Sequence, residues 1–164
     1  MTPQQRAELI ARYQDGYNQI VDALEGITTA ELDFRPAPTQ WSAREIVHHL
    51  ADSETISGIR LRQLLAEKKP QIQAYDQDEF ARFLHYSERS LAPSLAAFKA
   101  ARETTAQLFE FMTEADWQRT GVHSESGAYS AETWLQIYAT HAQNHADQIR
   151  RNRKLYREHL SLSS

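Results

Sequence analysis

Four stretches of this chain repeat apolar residues at spacings of three and four, and that helical period constrains the fold more than any other feature. In the first, Ile10, Tyr13, Tyr17, Ile20, Val21 and Leu24 make one stripe, with Thr2-Pro3 as a capped start and Gly26 as the stop. The second begins at Ser42, where Ser42-Ala-Arg-Glu45 has the form of a capping box. It carries Ile46, His49, Leu50, Ser53, Ile56 and Arg60 to about Ala66, and Lys68-Lys69-Pro70 ends it. A third runs from about Pro93 to Met112, with Leu95, Phe98, Ala101, Leu108 and Phe111 toward its buried side. The fourth and longest runs from about Ser130 to Leu160. Between them, Thr29 to Leu32, the region of Phe80, Phe83 and Leu84, and Thr113 to Asp116 read as short helices in the connections. Gly121 to Tyr129 has no helical period, and no strand alternation rises above noise. The expectation is an all-α fold, a four-helix bundle with short extra helices, in one domain spanning residues 1–164.

Composition narrows the function. With 18 Lys+Arg against 22 Asp+Glu the formal charge is −4, which gives no electrostatic reason to expect nucleic acid or an anionic membrane. No apolar run approaches the ~20 residues of a membrane span, and the polar opening MTPQQRAELI is no secretory signal, so a cytoplasmic location is expected. The chain has no cysteine, which excludes a disulfide scaffold, thiolate metal ligands and a protein thiol nucleophile. Any thiol chemistry must use a thiol brought from outside.

Of the 7 histidines, two groups stand out: His48-His49 in the second helix and His141-Ala-Gln-Asn-His145 in the fourth. Residues four apart lie one above the other on a helix, so two imidazoles at that spacing can converge on one ion. Spacing alone is weak, because chance produces such pairs; the face decides. Trp134, Ile137, Tyr138, His141, His145, Gln148 and Ile149 form the inward stripe, while Asp147, Arg150, Arg151 and Lys154 mostly face water. His49 lies with Ile46, Leu50 and Ser53 on the apolar side, and His48 with Arg44, Glu45, Asp52 and Thr55 on the polar side. Three neutral imidazoles from two helices form the His₃ set of a catalytic-type metal site. The alternative is two or three core histidines satisfied by Asp, Gln or backbone carbonyls.

Trp41-Ser-Ala-Arg-Glu-Ile-Val-His-His-Leu-Ala-Asp-Ser-Glu54 and His141-Ala-Gln-Asn-His145-Ala-Asp-Gln-Ile149 together resemble the two signatures of the DinB-like superfamily, especially its YfiT-like metal-dependent hydrolases. The resemblance implies a four-helix bundle in which three histidines bind a divalent metal, usually zinc or nickel, with water completing the shell. The matching positions here are His49, His141 and His145. YfiT-like members often read HHxADSH, and Glu54 stands where the last of those histidines would be. Members of the family include thiol S-transferases that use bacillithiol, mycothiol or glutathione, and they often pair as homodimers.

The expected function is a metal-dependent enzyme, an S-transferase or hydrolase, acting on a small molecule with a low-molecular-weight thiol or water in the open coordination position. A non-enzymatic, stress-response metal-binding bundle is the rival reading. No general base announces itself. Asp52, Asn144 and Gln148 stand three residues after His49, His141 and His145 and could orient the imidazoles, or be plain polar surface. Trp41 and Trp134 open the two ligand helices and read as core or rim. His85, His123 and His159 read as exposed, and the cluster Arg150, Arg151, Arg153, Lys154 and Arg157 as cations on a solvated helix end.

Overall fold

A computed structural model describes residues 1–162. In chain order its elements are α1 (Pro3–Leu24), α2 (Thr29–Asp33), α3 (Ala43–Ala66), β1 (Gln71–Ile72), α4 (Gln77–Phe83), α5 (Leu91–Ala106), a 3₁₀ turn (Gln107–Glu110), α6 (Glu114–Trp117), β2 (Thr120–His123), β3 (Gly127–Ser130) and α7 (Ala131–Leu162). The four long helices form the bundle expected from the sequence. α1 lies along α7, α3 along α5, and α3 against α7. Helix starts fall where the side chains dictate: Thr2/Gln5, Thr28/Glu31, Ser42/Glu45 and Thr113/Asp116 each make a reciprocal capping box.

Two apolar clusters stabilise the bundle and leave a belt between them. On α3 the first cluster takes Ala43, Ile46, Val47, Leu50 and Ala51, and the second takes Leu61 and Leu64. On α7 the second takes residues from Ala131 to Ala139, and the first takes Ala142, Ala146 and Ile149. Each buried leucine or isoleucine contributes roughly 1.5–3 kcal/mol. The stretch of α3 between the clusters buries polar groups instead: Ser53, Glu54, Ser57 and Arg60. Gly16 lets α1 and α7 close on this belt, since a Cβ there would stand 2.8 Å from Ala142 Cβ and collide with the Arg102 guanidinium.

Four expectations fail. The third helix ends at Ala106 and tightens into the 3₁₀ turn, whose larger rotation per residue directs Phe109 to Tyr13, Trp117 and Trp134 and leaves Phe111 80% exposed. Ile137, read as part of the inward stripe of the last helix, lies outside the buried arc of α7 and is exposed. His48 and Glu45 are buried, not on a wet face. The segment after α4 covers His48, whose Nδ1 meets Ser94 Oγ at 2.7 Å and whose Nε2 meets the Arg89 carbonyl at 3.2 Å, while Glu45 accepts from Arg35, which precedes α3, and from its own cap.

Lastly, residues 120–130 are not irregular. β2 and β3 form an antiparallel hairpin with Thr120 opposite Ser130, and β1 joins β2 in parallel. The inward residue of β2 next to β1 is Gly121, whose missing Cβ makes room for Pro70, while Val122 faces water. The apolar alternation that marks a strand is therefore absent from the sequence.

Candidate metal centre

His49 on α3 and His141 and His145 on α7 point into one space. Their donor nitrogens all lie within 4.8 Å of one another. His141 Nε2 stands 3.3 Å from His49 Nε2 and 3.2 Å from His145 Nε2. Two nitrogens bound at about 2.0–2.1 Å to a tetrahedral ion stand roughly 3.3–3.4 Å apart, so both separations suit one shared cation.

The outer nitrogens fix the protons. His145 Nδ1 lies 3.0 Å from Gln148 Oε1, an atom that can only accept, so Nδ1 carries the hydrogen and Nε2 turns a lone pair inward. His141 Nδ1 faces the Glu54 carboxylate at 3.9 Å. His49 Nδ1 is buried without a hydrogen-bond partner, and the Trp41 ring packs 4.8 Å from the His49 ring. Burial, and then the neighbouring imidazoles, push His49 down to about 2. The same two causes push His145 down to about 4, partly opposed by Gln148. Both are neutral donors at physiological pH, which is what a metal requires of them.

Among the described residues, three side chains of metal-ligating type converge here and no fourth joins them. His49 is buried, whereas His141 and His145 are half-buried. Three protein ligands without a fourth is the pattern of catalytic rather than structural zinc sites.

Of the three orienting candidates, only Gln148 reaches a ring. Asp52 accepts the Tyr86 hydroxyl at 2.6 Å, and exposed Asn144 lines a cavity of about 390 Å³ with Arg12, Asp15 and Gln19 of α1. Trp41 borders the centre, while Trp134 lies in the core and donates Nε1 to the Ser57 carbonyl at 2.9 Å. His85 and His159 are exposed, and His123 Nδ1 accepts the backbone N–H groups of Glu125 and Ser126 in the hairpin turn. In the basic cluster, Arg153 and Arg157 reach Glu31, and Arg150 reaches Asp147.

Sequence reasoning missed Glu54 as a neighbour of the centre. It is fully buried, accepts from Arg102 Nη1 and from Tyr13 Oη (3.2 Å), and Arg102 also donates Nε to the Tyr13 carbonyl (3.0 Å). Burial, then the Glu54 charge, raises the Tyr13 hydroxyl far above its ordinary range, so Tyr13 stays a donor. The only mark of Glu54 in the sequence is its departure from the HHxADSH pattern.

The chain belongs to the DinB superfamily, whose family model matches residues 12–149. It is 31% identical over 132 residues, 80% of this chain and 74% of the relative, to a protein of Oceanobacillus iheyensis named "Putative metal-dependent hydrolase". Among solved structures it is similar to YfiT from Bacillus subtilis, described as having "an unusual four-helix bundle topology" (TM-score 0.87, 25% identity, 96% of this chain and 89% of that one). The mycothiol-dependent maleylpyruvate isomerase shares the fold at TM-score 0.71 and 10% identity, over 91% of this chain and 63% of that one.

Proposed function

We propose that this protein is a metal-dependent enzyme in which His49, His141 and His145 hold a divalent cation, zinc or nickel, and which transfers a low-molecular-weight thiol to a small electrophile or hydrolyses a small substrate. The observation that carries the reading is the convergence of three imidazoles with no fourth protein ligand among the described residues. The names of its relatives point the same way. A divalent ion in such a set supplies positive charge that favours the deprotonated form of a bound thiol or water near neutral pH.

The protein's own groups do the rest. Gln148 fixes the tautomer and tilt of His145. Glu54, anchored by Arg102 and Tyr13, places its carboxylate 3.9 Å behind the outer nitrogen of His141. Trp41 packs against the His49 ring and keeps water from that side. A chain without cysteine has no thiol to compete with an incoming one for the electrophile or the ion.

Elemental analysis of the purified protein, followed by rate measurements with bacillithiol, mycothiol and glutathione against a reactive alkyl halide and with activated esters, tests this. One metal per chain, and a rate abolished by chelation and by His141→Ala, are expected. Absence of bound metal, or a metal-loaded protein with no metal-dependent rate toward any of these, overturns it; the second result would favour a non-enzymatic binding bundle.

A further inference from the structure

The described residues bury three arginines on their own surface ledger: Arg6, Arg60 and Arg102. Arg6 is matched by Glu114 and Glu132, and Arg102 by Glu54. Arg60, only 8% exposed, has no carboxylate within ion-pair distance among the described residues. Its Nη1 donates to Tyr138 Oη at 3.1 Å, its Nη2 donates to the Gln73 carbonyl at 2.7 Å, and its Nε is buried without a partner. The Tyr75 ring lies under it at 5.9 Å. A guanidinium taken out of water and left among neutral dipoles is costly, and folded proteins tolerate such groups where something else supplies the counter-charge.

What surrounds Arg60 is built to receive such a group. The Tyr129 hydroxyl is buried against the Arg60 guanidinium and has no acceptor for its own proton among the described residues. Tyr75 has its hydroxyl toward Ser53, one turn of α3 beyond His49. Burial raises Tyr75, Tyr129 and Tyr138 alike, so all three hydroxyls keep their protons.

The place of this cluster matters as much as its chemistry. Arg60 is three turns beyond His49 on α3, roughly 16 Å along the axis and back to the same face. Tyr138 is one turn before His141 on α7, with ring centres 5.7 Å apart. Tyr138 thus joins the two ends: its hydroxyl accepts from Arg60 and its ring lies against the ring of His141.

We propose that Arg60, with the hydroxyls of Tyr138, Tyr129 and Tyr75, anchors the anionic end (a carboxylate or a phosphate) of the small molecule whose other end reacts at the three histidines. This deepens the proposed function and rests on it for the reacting end only. Arg60 selects an acidic thiol or acidic substrate over a neutral one of equal length, and the distance between the two ends selects for an extended molecule.

The test uses the full-length protein loaded with cobalt(II), whose charge-transfer absorption reports a bound thiolate. Probes are titrated in pairs of equal length, ω-mercaptoalkanoates of six to eleven carbons and the neutral ω-mercaptoalkanols. The wild type is expected to bind the acid about tenfold more tightly or better, and Arg60→Met to bring the two within about twofold with cobalt affinity unchanged. Equal affinities in the wild type, or a preference that survives Arg60→Met, overturn the proposal.

Metal-free protein provides an arm that does not depend on the metal. Succinate and inorganic phosphate are expected to raise its melting temperature only when Arg60 is present, and the larger shift identifies the anion. If cobalt fails to bind, the metal reading falls and this arm alone decides: an Arg60-dependent shift supports the anchor, and no shift with either anion overturns it. A merely structural Arg60 would make Arg60→Met less stable, whereas an unpaired anchor predicts a variant at least as stable as the wild type in urea.

Discussion

Two buried polar constellations share the belt between the apolar clusters, and they differ in completeness. Around Glu54 the accounts close: the carboxylate accepts from Arg102 and Tyr13, and Arg102 spends further donors on the Tyr13 carbonyl. Around His49, His141 and His145 they do not: the Nε2 atoms crowd one another at 3.2–3.3 Å, and the outer nitrogens of His49 and His141 lack a hydrogen bond. The first arrangement joins α1, α3 and α5 and is architecture. The second sits against it on α3 and α7, and a cation would complete it. The contrast teaches how to read buried polarity here, since a satisfied group holds helices in register while an unsatisfied one marks a place for a ligand.

Removing one member of the satisfied set is the hardest blow to that distinction. Glu54→Ala leaves the Arg102 guanidinium buried without its carboxylate, and a loss of about 3–5 kcal/mol is expected in urea unfolding of the metal-free protein. Replacing both partners by leucine should recover most of it, because the cost lies in the uncompensated charge. A single variant as stable as the wild type would show that Glu54 and Arg102 are not the brace their geometry makes them.

Acid should act on the unsatisfied set. In the folded, metal-free protein His145 is held at about 4 and His49 at about 2, whereas unfolded histidines take protons near 6.5. Both folded values are depressed. The stability they contribute is therefore whole above about pH 6.5 and is lost as pH falls toward the folded values, because the unfolded chain binds the protons first. Each histidine can remove roughly 2 kcal/mol by pH 5. Urea midpoints between pH 7.5 and 5 in the presence of a chelator should fall accordingly, and His145→Gln should make the fall shallower. An unchanged slope in that variant would show that His145 is not held neutral by its surroundings.

Much of this was legible in the chain itself. The four helices follow from apolar spacing and capping boxes, which are local and leave their mark in consecutive residues. The three histidines were legible for the same reason, since helical spacing fixes which side chains share a face. What escaped depends on contacts between distant segments. Glu54 is adjacent to the centre because Arg102 of α5 and Tyr13 of α1 draw it inward, and nothing within α3 announces that. His48 looked wet because the segment that buries it lies some forty residues further on, at Arg89 and Ser94. The hairpin hid behind Gly121, which puts backbone rather than a side chain in the inward position.

The smallest expected effect probes how far the open set depends on its surroundings. Gln148 contacts His145 from one turn away, and among the described residues its carbonyl oxygen is the only polar partner that holds an outer imidazole nitrogen of the set within hydrogen-bond distance. Gln148→Ala frees that ring to rotate and to place its proton on either nitrogen, and zinc affinity measured by competition with a chromophoric chelator should fall about tenfold. Stability without metal should hardly change, since Gln148 is half-buried and water can take its place. The opposite pairing, lost stability with intact zinc affinity, would move Gln148 from the metal centre to the architecture and blur the line between the two constellations. Gln148→Glu sharpens the same point: a carboxylate accepts more strongly from Nδ1–H, so zinc affinity should be kept or raised.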